Sequence, residues 1–169
     1  LVIGVSQSGA AEDVLAVLKR AKECGAMSVG ITNTPGSLVA ENADYHIYLS
    51  VGYEQSIAAT KTFTAQLAVM ALLCACWNNN ETLLADFDRL PGLIQEILDT
   101  VPEKIASFVN DFKDFDNGVV LGRGFNYPIA LEGALKIMET NKISMRGYPT
   151  SDFYHGPFAQ LTNKGTAFL

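Results

Sequence analysis

Glu132, Lys136 and Glu139 stand at i, i+4 and i+7 in the run Tyr127–Asn141, so a helix there stacks all three on one face. Leu131, Ala134, Leu135 and Met138 fall on its other faces. Two carboxylates flanking one ammonium have two readings. One is an exposed ion-pair ladder, which contributes little to stability. The other is an acid–base site, where proximity drives the protonation tendencies apart and leaves one carboxylate as a base. Shortly after comes Ser151-Asp152-Phe153-Tyr154-His155-Gly156-Pro157. The Gly-Pro pair fixes the backbone beside His155 in a loop, and an imidazole suits proton transfer near neutrality. His46 is a different object: it lies mid-strand beside two tyrosines and reads as a packed or surface histidine.

A second kind of chemistry sits at the front of the chain, in Ser6-Gln7-Ser8-Gly9. Two hydroxyls, a side-chain amide and the free N–H groups of a following helix start favour an oxyanion, phosphate above all. The competing reading makes Ser8 only a helix cap. Lys61, near the start of a later helix, opposes the helix dipole. An anionic ligand or Glu54 would give it a partner; a solvated lysine is the alternative.

The elements that position these groups follow from the apolar pattern. Leu1–Val5 is an unalternating apolar run, which suits a strand buried on both faces of a parallel sheet. From Ala10, Val14, Leu15, Val17 and Leu18 recur at helical spacing as far as Cys24, where Gly25 suits the C′ position. Met27–Thr32 is a second strand, Asn33–Gly36 a turn, Leu38–Asn42 a short helical turn and Tyr45–Val51 a third strand. This alternation predicts parallel pairing, with the polar turn at the carboxyl end of its strand, where open α/β sheets bind ligands. Ser56 is expected to cap a long helix over Ile57–Trp77, apolar enough to be buried all round by its own core and a partner subunit. Asn78–Asn80 ends it. Helices over Glu81–Leu90 and Pro91–Phe112 follow, with Pro91 and Pro102 suited to helix starts. After a turn-like Asp111–Asn117, the strand Val119–Leu121, the bend Gly122-Arg123-Gly124 and the helix Tyr127–Asn141 open a second unit. That Gly-x-Gly lacks the third glycine and the acidic partner of a dinucleotide fingerprint.

Composition bounds the function. The chain has 169 residues, 49% hydrophobic and 18% charged, and a net charge of -6. It is globular, and its acidity with no basic run argues against nucleic acid. Leu67–Trp77, the longest apolar run, is too short to span a bilayer. No metal or redox-cofactor motif is visible. Cys24, Cys74 and Cys76 are odd in number, lack metal-ligand spacing, and read as buried thiols in a reducing, cytoplasmic compartment. The first residue already lies in a strand, and Gly165–Leu169 reads as another strand cut short, so the expectation is a fragment.

Taken together, SQSGAAEDVLAVL (6–18), ITNTPGSLVAENAD (31–44), EQSIAATKTFTAQL (54–67), LGRGFNYPIALEGALKIMET (121–140) and HGPFAQL (155–161) resemble the SIS (sugar isomerase) family. Within it the chain is most similar to the isomerase half of glutamine–fructose-6-phosphate transaminase and to stand-alone deaminase and deglycase relatives. The resemblance implies an α/β fold of five-stranded, parallel, doubly wound flavodoxin-like sheets flanked by helices, here incomplete. Residues 1–80 would be the later part of one SIS domain, 81–117 a helical linker and 118–169 the early part of a second. It implies that Ser6, Gln7, Ser8 and Gly9 hold a sugar phosphate. Glu139 would move a proton between C1 and C2. His155 would open the sugar ring across a homodimer interface, and Glu132 and Lys136 would line the same pocket. Ile57, Ala58 and Lys61 are further pocket candidates. The implied substrate is a hexose 6-phosphate, with no cofactor and no membrane or nucleic-acid partner.

The chain departs from the family pattern at several positions. Ala11 replaces a phosphate-touching threonine, Ala59 a serine, and Tyr154 and Asp152 a lysine and a glutamate before the His-Gly-Pro. Met145–Tyr148 replaces an alternating acidic segment. These changes favour a catabolic deaminating isomerase over the transaminase half. A non-catalytic sugar-phosphate sensor would keep the Ser-Gln-Ser-Gly turn but has no use for Glu132, Lys136, Glu139 and His155.

Overall fold

Runs of small and β-branched residues form the first two strands of the first sheet, and an aromatic-rich run the third. In the computed structural model, β1 (Val2–Ser6) is followed by α1 (Glu12–Glu23), β2 (Ser28–Thr32), α2 (Leu38–Asn42) and β3 (Tyr45–Tyr48). The structure describes residues 1–112, 114–161 and 165–169; Lys113, inside the expected turn Asp111–Asn117, lies outside them. The strands pair in parallel in the order β1-β2-β3, with Ser6 opposite Thr32 and Thr32 opposite Tyr48. Leu18, Ile31 and Val39 are fully buried between helices and sheet. At Gly4 a Cβ would come within 2.9 Å of Val14, so the missing side chain lets α1 lie close on β1.

Two compact units divide the chain, Leu1–Pro91 and Gly92–Leu169. The first continues into α3 (Lys61–Trp77); α4 (Glu81–Ala106) runs through the division. The second holds β4 (Asn117–Gly122), α5 (Asn126–Asn141), β5 (Ser144–Pro149), α6 (Thr150–Phe153) and β6 (Gly165–Phe168), with 3₁₀ turns at Val109–Phe112 and Pro157–Gln160. Its strands are parallel in the order β5-β4-β6. Val119, Leu121 and Phe153 form its core, with Tyr148 and Leu161 packed against them.

Several expectations give way. β3 stops at Tyr48 rather than Val51: after the ladder bond from Leu49 N–H to Thr32 O, Ser50 takes φ 57° and Val51 N–H is drawn to Asn33 Oδ1, so the chain leaves the sheet. α3 starts at Lys61, not Ile57, and Ser56 does not cap it. Within the chain itself only Thr62 and Ala75 of α3 are buried, and Trp77 is 65% exposed. All three cysteines are exposed rather than buried: Cys24 sits at the C-cap of α1, and Cys74 and Cys76 lie on open faces of α3. Pro91 does not start a new helix. It removes one intrahelical hydrogen bond, and α4 passes through it as one helix of 26 residues ending at Ala106. Asn80 Oδ1 accepts from Leu83 N–H at its start.

Candidate functional site

In the bend after β1 the Ser6, Gln7 and Gly9 carbonyls are engaged within the protein. Gly9 N–H donates to both the Ser6 carbonyl (3.2 Å) and Ser6 Oγ (3.1 Å). The Gln7 carbonyl accepts from Asn33 N–H at 2.9 Å, and the Gly9 carbonyl from Val39 N–H at 2.9 Å. Gly9 has φ +67°, and a Cβ there would collide with Ser37 Oγ, so only glycine closes this bend against the cap of α2. Ser6 is buried, while Gln7 and Ser8 are exposed. With these three carbonyls engaged, the exposed Gln7 and Ser8 present amide, hydroxyl and N–H groups, an arrangement suited to an anion. Ser8 is not the helix cap: its Oγ accepts from Ala10 N–H at 3.3 Å, and the N-cap position of α1 is Ala11, which offers no side-chain acceptor.

In the same unit Glu54 answers the question posed by Lys61. Glu54 Oε2 accepts from Thr60 N–H (3.1 Å), Thr62 N–H (3.3 Å) and Thr62 Oγ1 (3.1 Å), so the anion at the start of α3 is the protein's own. The Thr60 N–H foremost, then the Thr62 donors and Lys61, hold its carboxyl below the usual range against the opposing effect of burial. Lys61 is exposed, Ile57 fully so, and Ala58 half-buried. His46 Nε2 lies 2.9 Å from Thr32 Oγ1, as an exposed ring tied to the sheet.

In the second unit α5 carries its three charged residues on one face. Lys136 Nζ lies 2.6 Å from Glu139 Oε2 and 3.4 Å from Glu132 Oε1. The side chains keep 20%, 24% and 29% of their exposure for Glu132, Lys136 and Glu139, well below the exposed pairs elsewhere, such as Arg20–Glu23 at 74% and 64%. The Glu139 hydrogen bond first, then the charge of Glu132, raises the Lys136 pKa against the opposing effect of burial. An ammonium between two carboxylates can steady a negative charge or donate to a substrate oxygen, while either carboxylate can take a proton.

His155 is exposed, on the loop between α6 and the Pro157–Gln160 turn. Its N–H donates to Asp152 O (3.1 Å), and Gly156 follows at φ 142°, a conformation that side-chain-bearing residues rarely adopt. Among the described residues no hydrogen bond or ion pair joins His155 to Glu132, Lys136 or Glu139. The far end of the loop is fastened by Gln160, whose Nε2 donates to Tyr148 Oη (2.7 Å) and whose Oε1 accepts from Arg146 (3.3 Å). The Gln160 hydrogen bond foremost, then a hydrogen bond from Arg146 and its charge, lower the Tyr148 pKa against the opposing effect of burial. This fastening was missed from sequence, as was β5 itself. At the end of β4, Arg123, Asn126 and Thr150 line a cleft of about 480 Å³. Among the described residues no group of three His, Cys, Asp or Glu side chains could hold a metal ion, and no helix is long and apolar enough to cross a membrane.

Comparison with known proteins adds the following. A family model described as SIS domain matches residues 1–75. The glutamine–fructose-6-phosphate aminotransferase (isomerizing) of Aquifex aeolicus is 41% identical over 162 residues, covering 95% of this chain and 27% of that protein. The chain thus spans about a quarter of the length of this curated relative. Among solved structures, the C-terminal domain of glucosamine-fructose-6-phosphate aminotransferase from Francisella tularensis superposes with TM-score 0.83 at 30% identity, over 98% of this chain and 49% of that one. Glucosamine-6-phosphate deaminase from Thermotoga maritima does so with TM-score 0.86 at 27% identity, over 98% of this chain and 50% of that one.

Proposed function

We propose, from the SIS domain model's match to residues 1–75, that the chain forms part of a cytoplasmic sugar-phosphate isomerase that deaminates an amino-hexose 6-phosphate. The observation that carries this reading is the Glu132–Lys136–Glu139 face, whose mutual contacts and low exposure set it apart from the solvated ion pairs of the chain.

In this mechanism Ser6, Gln7, Ser8 and Gly9 hold the phosphate and orient the sugar. His155, supplied by a second copy of the chain, moves the proton from the anomeric hydroxyl to the ring oxygen as the ring opens. Glu139 takes the proton from C2 and returns it to C1 through an enolamine, a step that a placed base accelerates about 10²–10⁴-fold. Lys136 and Glu132 balance the charge that develops on the sugar oxygens. Water then hydrolyses the C2 imine, releasing ammonia and the ketose 6-phosphate. Ile57, Ala58 and Lys61 border the sugar.

The names of the relatives favour a second reading, the isomerase half of a glutamine-dependent transaminase. Ala11, Asp152 and Tyr154 speak against it. The test is an assay of the full-length protein on glucosamine 6-phosphate. Release of ammonia with fructose 6-phosphate supports the deaminase. Formation of glucosamine 6-phosphate only from fructose 6-phosphate and glutamine supports the transaminase. Binding without turnover of either makes the chain a sensor.

A further inference from the structure

Asn33 is the first residue past β2 and is 8% exposed. Its polar groups reach two separate segments. The backbone N–H donates to the Gln7 carbonyl at 2.9 Å. In the side chain, Nδ2 donates to the Gly52 carbonyl at 2.7 Å and Oδ1 accepts from Val51 N–H at 3.3 Å. A primary amide presents donor and acceptor side by side, so it grips the Val51–Gly52 segment as a neighbouring strand would. The bends that follow β1 and β3 therefore both hang on the residue just after β2.

The bond to Gln7 has a directional consequence. The peptide between Gln7 and Ser8 is planar and trans, as all the described peptides are. A carbonyl drawn toward Asn33 turns the Ser8 N–H the opposite way, and among the described residues that N–H has no acceptor. On the other side, the segment gripped at Val51 and Gly52 leads directly into Glu54, which holds the start of α3 beside Lys61.

We infer that Asn33 is a positioning residue of the phosphate subsite: it aims the Ser8 N–H outward and fixes the loop that leads to Lys61. The inference rests on the reading of Ser6–Ser8 as the phosphate anchor. The backbone N–H survives truncation to alanine. What is lost is the side-chain amide that pins residue 33 to Val51 N–H and Gly52 C=O, so the loop must reorganise to hydrate them and the bond to Gln7 loses its fixed anchor.

The test uses the full-length protein, with fructose 6-phosphate and inorganic phosphate as probes in titration calorimetry and glucosamine 6-phosphate in steady-state kinetics. Asn33→Ala is expected to weaken both probes by about the same factor, on the order of tenfold, and to raise KM by that factor while kcat changes less than about threefold. Asn33→Asp keeps the size and the acceptor for Val51 but sets a carboxylate against the Gly52 carbonyl; it is expected to lose affinity likewise and serves if the alanine variant does not fold. Unchanged affinities with only a lower melting temperature, or a loss confined to kcat, overturn the inference. Ser8→Ala separates the two failures. If it weakens phosphate binding and neither Asn33 variant does, the inference alone falls; if Ser8→Ala has no effect, the anchor falls and the inference with it.

Discussion

Glu139 reaches back across one turn of α5 to place Oε2 2.6 Å from Lys136 Nζ. A contact this close between side chains that keep 29% and 24% of their exposure ties the carboxylate to an ammonium held firmly in its charged form. To act on a sugar carbon, Glu139 must find Lys136 partly engaged elsewhere, and a sugar oxygen is a suitable acceptor. In the proposed mechanism, substrate binding would thereby free Glu139 to take the proton.

Glu139→Gln keeps the shape and a hydrogen-bonding oxygen but removes the proton acceptor. Turnover of glucosamine 6-phosphate is expected to fall by at least about 10²-fold, while fructose 6-phosphate affinity stays within about threefold. Parallel loss of rate and affinity would instead make Glu139 a binding group. Lys136→Met is the companion variant, expected to lower kcat because it leaves two facing carboxylates without their cation.

At the bend after β1, the proposed phosphate anchor, Ser8→Ala removes an exposed hydroxyl with little effect on the fold, since its internal partner is only the Ala10 N–H. A hydrogen bond to a charged ligand is worth about 1.5–3 kcal/mol, so KM is expected to rise at least about tenfold. Gly9→Ala acts differently. It forces a side chain into φ +67° and against Ser37 Oγ, costing roughly 1–2 kcal/mol for the backbone alone plus displacement of α2. Its signature is a lower melting temperature together with lost phosphate affinity; loss of neither would contradict the described packing.

The elements that could be read in advance are those whose cause is local. Leu38–Asn42 is bounded by Pro35-Gly36 and capped by Ser37, all within a few residues. The face of Glu132, Lys136 and Glu139 follows from helical periodicity alone. Where distant segments supply the partner, no periodicity encodes it. Asn33 grips Gly52, and Gln160 grips Tyr148, across intervening elements. Ser56 has the right chemistry for a cap, yet the Glu54 carboxylate takes the amides of Thr60 and Thr62 and moves the helix start to Lys61. β5 was overlooked because Arg146, Gly147 and Pro149 argue against a strand; at Gly147 a Cβ would fall 2.7 Å from the Leu131 Cα, so the glycine lets α5 approach.

That carboxylate gives a third prediction. Glu54→Ala strips the first turn of α3 of its acceptor, so the Thr60 and Thr62 amides are expected to exchange hydrogen faster than in the wild type. Exchange further along, at Ala71–Cys74, should be little changed, because those amides are held by the helix itself. Uniform acceleration along α3 would mean that Glu54 supports the whole helix rather than its entry.

Asp44 supplies the pH-dependent prediction. Its Oδ2 accepts from Ser28 Oγ and Ser28 N–H, both at 2.8 Å, joining the chain just before β3 to the fully buried first residue of β2. The Ser28 hydroxyl foremost, then its N–H and the charge of Lys22, lower the Asp44 pKa despite some opposing desolvation. In the unfolded chain the carboxyl regains its ordinary value, so on acidification the unfolded state takes up the proton first. The stability conferred by Asp44 is therefore complete above that ordinary value and is lost as pH falls through the lowered native one. Asp44→Asn keeps an acceptor but has nothing to titrate. Its melting temperature should lie below wild type at neutral pH, and the two curves should converge from about pH 4 downward. Ser28→Ala retains the carboxyl while removing its foremost donor, so the native value moves back toward the ordinary one, and the Asp44-dependent loss of stability on acidification should be smaller and complete at higher pH than in the wild type. Curves for Asp44→Asn and wild type that stay parallel down to about pH 2 would show that the Ser28 bonds do not distinguish the charged form of Asp44 from the neutral one.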